Sequence, residues 1–301
     1  MTGAAGFLGT PVSDKLRAAG YRVVTTDRVG RPDLLGDLAD KKFTESLPPV
    51  DMVVHCAAVQ YVSADLPFFR RKSYFARDNI VATENLVERY RSELDYFLQI
   101  GTSMMYDQTG LTEYAIDSPQ KGVGVYSKSK LAAVRIAETI DAPLGIMVPC
   151  IIGGPGREGL FRNFVTTIAK FGFAIRPGTG KFQTHMVHVN DAADLVVLLV
   201  QQKATGLYNA AGPYPLSINQ WIEAIKSELG VDKVRIIPIP YPLIAFGAWL
   251  TRYRFIAKEQ ALMLGQAHVL STKESHAKGW QPAHSNERIA RDIANYVVGN
   301  N

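Results

Sequence analysis

The chain has 301 residues, 47% hydrophobic and 20% charged, which excludes a disordered, collagen-like or disulfide-stapled protein. Its 33 basic and 28 acidic residues leave a net charge of +5, suited to an anionic cofactor or substrate and too small to argue for nucleic acid. The two cysteines, Cys56 and Cys150, fit reduced thiols in a cytoplasmic protein, and Met1 to Ala4 lacks the charged and apolar regions of a signal peptide.

In chain order, the first chemistry is Thr2-Gly3-Ala4-Ala5-Gly6-Phe7-Leu8-Gly9, which leads into a predicted helix from Gly9 to Ala19. Glycine at every third position lets a backbone turn tightly and approach a pyrophosphate, with the helix N-terminus supplying N–H groups. A predicted strand over Tyr21 to Thr26 follows and ends at Asp27, 18 residues after Gly9, near the ~20 expected for a carboxylate on an adenosine ribose. A carboxylate there prefers NAD to NADP, although the neighbouring Arg28 offers a 2′-phosphate a partner. Only Met1 and Thr2 precede the loop, so the first, central strand is expected to be truncated here or to begin upstream.

Strands over Asp51 to Cys56, Tyr96 to Ile100 and Leu144 to Val148 alternate with helices over Asn79 to Arg91 and Tyr126 to Ile140. The alternation predicts an α/β fold with a Rossmann-type, doubly wound parallel sheet, whose ligands bind beyond the carboxyl ends of the strands. Just past Ile100 lies Thr102. Tyr126-Ser127-Lys128-Ser129-Lys130 then places Tyr126 and Lys130 four apart on one helix face, where an ammonium favours a phenolate and makes tyrosine a workable acid or base. After Pro149, glycine turns at residues 153–156 and 177–180 and irregularly spaced helices predict a smaller substrate domain over 151–301. The dinucleotide domain is 1–150, and some later segments return to it. The apolar stretch Tyr241 to Leu250 is too short to span a bilayer and reads as a buried amphipathic helix ahead of a membrane-surface one. The cluster Pro67 to Lys72 reads as a solvated helix start. Neither nucleic acid nor membrane is an expected partner, and no metal set forms, since His185 and His188 on one strand face opposite sides.

These segments together resemble the extended short-chain dehydrogenases/reductases, the NAD-dependent epimerase/dehydratase family. The likeness runs through the glycine loop, Gly36-Asp37-Leu38, His55-Cys56-Ala57-Ala58, Asn79 with Thr83, Asn85 and Leu86, the set Thr102, Tyr126 and Lys130, Val187 to Asp191, Leu207-Tyr208-Asn209 and Gly279-Trp280-Gln281-Pro282. It implies NAD contacts from Gly3, Gly6, Phe7, Leu8, Asp27, Arg28, Asp37, Leu38, Ala57, Ala58, Asn79, Tyr126, Lys130 and Pro149, and a homodimer formed through the helices around Asn79 to Arg91 and Tyr126 to Ile140. In the mechanism it implies, Tyr126 takes the proton of a secondary alcohol as hydride leaves for the nicotinamide. Lys130 holds the ribose and lowers the tyrosine pKa, and Thr102 orients the reacting oxygen, with Ser103 as its substitute if the strand ends one residue later.

Departures from the family pattern narrow the chemistry. Ser103 and Met104 replace the acid pair of sugar 4,6-dehydratases, so water elimination is not expected. Thr184 and Val148 stand where nucleotide-sugar enzymes carry arginines. The sequence therefore predicts an NAD-dependent oxidoreductase or epimerase, acting on a sugar or nucleotide sugar. The competing readings are a 3β-hydroxysteroid dehydrogenase-like or small carbonyl reductase, and a catalytically silent NAD sensor or scaffold.

Overall fold

A computed structural model describes residues 1–63, 65–92, 94–108 and 110–299. The elements of the first half are α1 (Gly9–Ala18), β1 (Thr26–Asp27), β2 (Leu34–Leu35), α2 (Lys41–Glu45), β3 (Met52–His55), α3 (Arg71–Phe75) running through a π-helical turn (Ala76–Val81) into α4 (Ala82–Arg89), β4 (Tyr96–Ile100), α5 (Val125–Ala137) and β5 (Leu144–Pro149). The second half adds β6 (Ile151–Gly153), α6 (Leu160–Phe171), β7 (Phe173–Pro177), β8 (Gln183–Thr184), β9 (Met186–His188), α7 (Val189–Gln201), β10 (Gly206–Ala210), β11 (Leu216–Ser217), α8 (Ile218–Leu229), β12 (Arg235–Ile239), α9 (Tyr241–Leu250), α10 (Lys258–Met263), α11 (Lys273–Ala277) and α12 (Asn286–Gly299).

The main sheet is parallel in the order β10-β5-β4-β3. Period-two alternation sends Val53 and Phe97 to one face, against α4 and α5 at Leu86, Val87 and Ala137. It sends Val54 and Leu98 to the other, against α1 and α7 at Val12, Leu16, Leu195 and Leu199. Helices cover both faces, as a doubly wound sheet requires. A second core joins Val165 and Ile168 of α6, Trp221, Ile222 and Ile225 of α8, and Ile289 and Ile293 of α12.

The slot of the expected first strand is held by Met1 and Thr2. Thr2 bridges in parallel to both Thr26 and His55, and its N–H donates to the Val54 carbonyl at 3.0 Å. Beyond that slot the strand predicted over Tyr21 to Thr26 shrinks to Thr26–Asp27, the two residues that pair with Leu34 and Leu35 of β2, because a strand extends only as far as its ladder partners.

A second correction concerns Tyr241 to Leu250. The helix forms with those bounds, but only Ala248 is buried, and Leu243, Phe246, Trp249 and Leu250 are exposed. Its residues are apolar all round, so burying one side leaves the other in solvent. Among the described residues no helix is long and apolar enough to cross a membrane.

Candidate active site

The glycine loop sits where the parallel strands end. Gly3 has φ +66°, and a Cβ there would lie 2.6 Å from the Ala57 nitrogen; a Cβ on Gly9 would lie 1.9 Å from the Gly3 carbonyl oxygen. The loop can therefore fold this tightly only without side chains at those positions. No side chain caps the N-terminus of α1.

Two cavities of about 380 Å³ each meet over this loop, sharing Gly3, Gly6, Cys56, Ala58 and Ser63 in their walls. One holds Asp27, Arg28, Asp37, Leu38 and Ala57. The other holds Phe7, Leu8, Thr102, Tyr126, Lys130 and Pro149. Thirteen of the fourteen residues the resemblance implied for NAD line one or both cavities. The exception is Asn79, whose amide is buried behind the wall. Its Oδ1 accepts from the Val59 N–H at 2.9 Å and its Nδ2 donates to the Ser129 hydroxyl at 2.9 Å, pinning the cavity loop to α5.

At the first cavity Asp27 is fixed as an acceptor by the N–H groups of Ala5 at 2.9 Å and Arg28 at 2.7 Å. Arg28 is already engaged, donating to Asp65 at 2.8 Å and to the buried Asp78 at 3.2 Å, while Arg77 pairs with Asp37 and Asp78. Four carboxylates thus face two guanidiniums, an environment that accepts ribose hydroxyls and repels an added 2′-phosphate. A side-chain-free loop, an uncapped helix end and a ribose-facing carboxylate fit NAD.

At the second cavity, Tyr126 and Lys130 share one face of α5, whose N-terminus is fixed from afar. Buried Glu259 accepts from the Ser127 N–H at 2.9 Å and from the Tyr61 hydroxyl at 3.0 Å. The Tyr61 and Phe75 rings pack on Tyr126 at 5.6 and 5.8 Å. Burial pushes the Tyr126 phenol up to about 12, opposed by the Thr102 hydroxyl bonded to it and by the Arg157 guanidinium. Arg157 is thus a cation that favours the phenolate. Burial lowers Lys130 itself to about 8, and its ammonium donates to the Ile100 carbonyl at the end of β4 at 2.6 Å. Ser103 is no substitute for Thr102, since its hydroxyl is bonded to buried His268 Nε2 at 2.7 Å.

Sequence reasoning missed Arg157, Glu259 and Tyr61. Arg157 lines the second cavity, donates to Gln60 at 3.0 Å, lies 5.4 Å from the Phe7 ring centroid, and has no carboxylate partner among the described residues. Its only local signal was its place directly after the 153–156 glycine turn. Glu259 arrives 132 residues after the N–H it caps, so no local pattern could reveal it. The late motifs act as clamps. The Trp280 indole N–H donates to the Asp191 carbonyl at 2.9 Å, His284 bonds the Asp191 carboxylate at 2.9 Å, and Asn209 accepts from the Tyr106 hydroxyl at 2.7 Å. Thr184 lies in β8, away from both cavities.

Fold and site together define a dinucleotide-dependent enzyme with a tyrosine-lysine-hydroxyl constellation. Residues 1–211 match the model of the NAD dependent epimerase/dehydratase family, and the chain belongs to that family, with NAD as its cofactor. It is 24% identical to the low-salt glycan biosynthesis protein Agl12 of Haloferax volcanii over 99% of this chain and 98% of the relative. It is 23% identical to UDP-arabinose 4-epimerase 1 of Arabidopsis thaliana over 95% and 80%. Among solved structures, MoeE5 in complex with UDP-glucuronic acid and NAD superposes with a TM-score of 0.79 at 18% identity, covering 100% of this chain and 98% of that one.

Proposed function

We propose that the protein oxidises or epimerises a secondary alcohol carbon of a sugar or nucleotide sugar. The observation that carries this reading is the convergence of Thr102, Tyr126 and Lys130 on one cavity wall beside the glycine loop. Bound NAD supplies the hydride acceptor; Asp27 and Asp37 would hold its adenosine end, Gly6, Phe7 and Leu8 its phosphates, and Lys130 its nicotinamide ribose. Tyr126 takes the proton of the substrate hydroxyl, and Thr102, in the same cavity wall, orients that oxygen. Arg157 gives the cavity an unneutralised cation beside the reacting centre, so the substrate carries an anionic group close to its carbinol. Support for the sugar class comes from the relatives named for glycan biosynthesis and UDP-arabinose 4-epimerisation. A second reading, a less polar alcohol or ketone, is favoured by Val62, Met104, Cys150, Ile151 and Ile152 in the same wall.

Tyr126→Phe tests the assignment. Turnover on a substrate found by screening UDP- and GDP-sugars against steroids and small ketones should fall by about 100-fold or more. NADH binding, measured by fluorescence titration, should stay within about twofold, because the ring packing is kept. Unchanged turnover would refute the role of Tyr126.

A further inference from the structure

We propose that the exposed aromatic and basic surface built by α9, the turn after it and the Phe68–Lys72 segment docks the protein on a bilayer rich in anionic phospholipid. Phe68, Phe69, Phe246, Trp249, Leu250 and Phe255 are all exposed, Trp249 by 60% and Phe255 by 74%. They form one surface although they come from segments almost 180 residues apart. Arg71 donates to the carbonyls of Tyr253 at 3.1 Å and Arg254 at 2.9 Å. Arg254 in turn lies over the rings of Phe68 at 4.3 Å and Phe69 at 4.6 Å. The turn is held in an unfavourable shape, with Arg252 at φ 51° and Tyr253 at φ 57°, both in the left-handed region that L side chains rarely adopt.

Charge selects the occupant. The Phe68–Lys72 segment and the turn after α9 carry Arg70, Arg71, Lys72, Arg252 and Arg254, and neither residues 66–77 nor 241–258 contain an aspartate or glutamate. The apolar face is therefore rimmed by cations. Aromatic and leucine side chains rimmed by arginine and lysine match the interface of an anionic membrane, where rings sit at headgroup depth and each cation adds attraction. A second copy of the chain is a poor fit, since an isologous contact would set these cations against themselves. The surface also adjoins the catalytic cavity. A 190 Å³ recess lined by Arg71, Arg254 and Phe255 shares Tyr61, Val62 and Gln260 with it, so docking would bring the cavity mouth to the lipid headgroups.

The test uses the full chain with phosphatidylcholine vesicles, with and without phosphatidylglycerol. Trp221 and Trp280 are buried, so a fluorescence blue shift on adding vesicles reports Trp249. Co-sedimentation and the blue shift are expected with the mixed vesicles, and partitioning at least about tenfold weaker on pure phosphatidylcholine or at high salt. Trp249→Ser, and separately Lys72→Ser combined with Arg252→Ser, should lower partitioning by about tenfold or more while melting temperature and NADH affinity hold, since these side chains are exposed and outside the active site. Absence of binding to both vesicles overturns the proposal, as does equal binding to both. Binding of RNA or DNA without lipid affinity overturns it in favour of a polyanion site. Self-association lost in Trp249→Ser without vesicle binding overturns it in favour of a subunit interface. None of these outcomes depends on the substrate assigned above.

Discussion

At the scale of single residues, the active site holds two cations, buried Lys130 and half-buried Arg157, neither with a carboxylate partner among the described residues. A protein ordinarily pairs such groups, because leaving a charge desolvated is costly. Lys130 has the Ile100 carbonyl, and Arg157 has the Gln60 amide and the face of Phe7. Arg157→Met separates what Arg157 does for folding from what it does for chemistry, since methionine keeps the contact with Phe7 and removes the charge. Melting temperature should rise or stay level, because a desolvated guanidinium disappears. KM for an anionic substrate should rise by about 10- to 100-fold, the loss expected of a charge-assisted hydrogen bond. The guanidinium favours the Tyr126 phenolate, so its removal should also move the ascending limb of the alcohol-oxidation profile to higher pH. A KM and pH profile unchanged from the parent would show that Arg157 faces neither substrate nor Tyr126. That Thr102, Tyr126 and Lys130 would share one cavity wall was legible, because they lie on one strand end and one helix turn. Arg157 and Glu259 were not, because their meaning depends on where a later segment folds back.

At the scale of elements, the glycine loop and α1 act as one unit, and two of its glycines play separable parts. A Cβ on Gly9 would meet the Gly3 carbonyl oxygen at 1.9 Å and the Ala4 Cα at 3.0 Å, so Gly9→Ala must push the loop off α1. A Cβ on Gly6 meets only the Gly3 carbonyl oxygen, at 3.1 Å, and Gly6 lies in the wall of both cavities. Gly9→Ala should therefore lower the melting temperature by several degrees and weaken NADH binding, whereas Gly6→Ala should weaken NADH binding by about tenfold with little thermal cost. Thermal melts beside NADH fluorescence titrations check both; equal thermal losses in the two variants would contradict the division. Element legibility follows the same logic. The helix over Tyr241–Leu250 appears at its predicted bounds, since helix signals are local. The strand predicted over Tyr21 to Thr26 contracts because a strand exists only where a partner runs alongside it. The exposure of α9 was equally unreadable, because an all-apolar helix states no preference for which side it buries.

At the scale of the whole molecule, buried neutral histidines join parts that lie far apart in the chain. His55 links Thr2 at 2.7 Å to Thr83 at 3.0 Å, tying the central slot of the sheet to α4. Because Thr83 donates its own proton to the Asn79 carbonyl, His55 Nε2 is the protonated nitrogen and Nδ1 accepts from Thr2. His268 bonds Ser103 beside the active site and so fastens the C-terminal half to the dinucleotide-binding half, while His185 accepts from the Leu270 N–H at 3.1 Å within the C-terminal half. Burial holds His55 at about 3 and His185 and His268 at about 4, each below the ordinary 6.5; Lys130 deepens the shift at His55, and His185 that at His268. Groups depressed in the fold but ordinary in the unfolded chain leave the unfolded state binding more protons between those values. The stability these histidines contribute is therefore full above about 6.5 and falls as pH drops toward 4, with a limiting slope of about 1.4 kcal/mol per pH unit for each histidine. Thermal melts across that range should show a steep, continuous fall in melting temperature beginning below neutrality. His55→Asn should lower stability at pH 8 yet flatten the acid slope, because one of the three proton-linked groups is gone. A melting temperature constant down to pH 5 would mean that these histidines take up protons within the fold, and that the two halves are fastened by something other than neutral imidazoles.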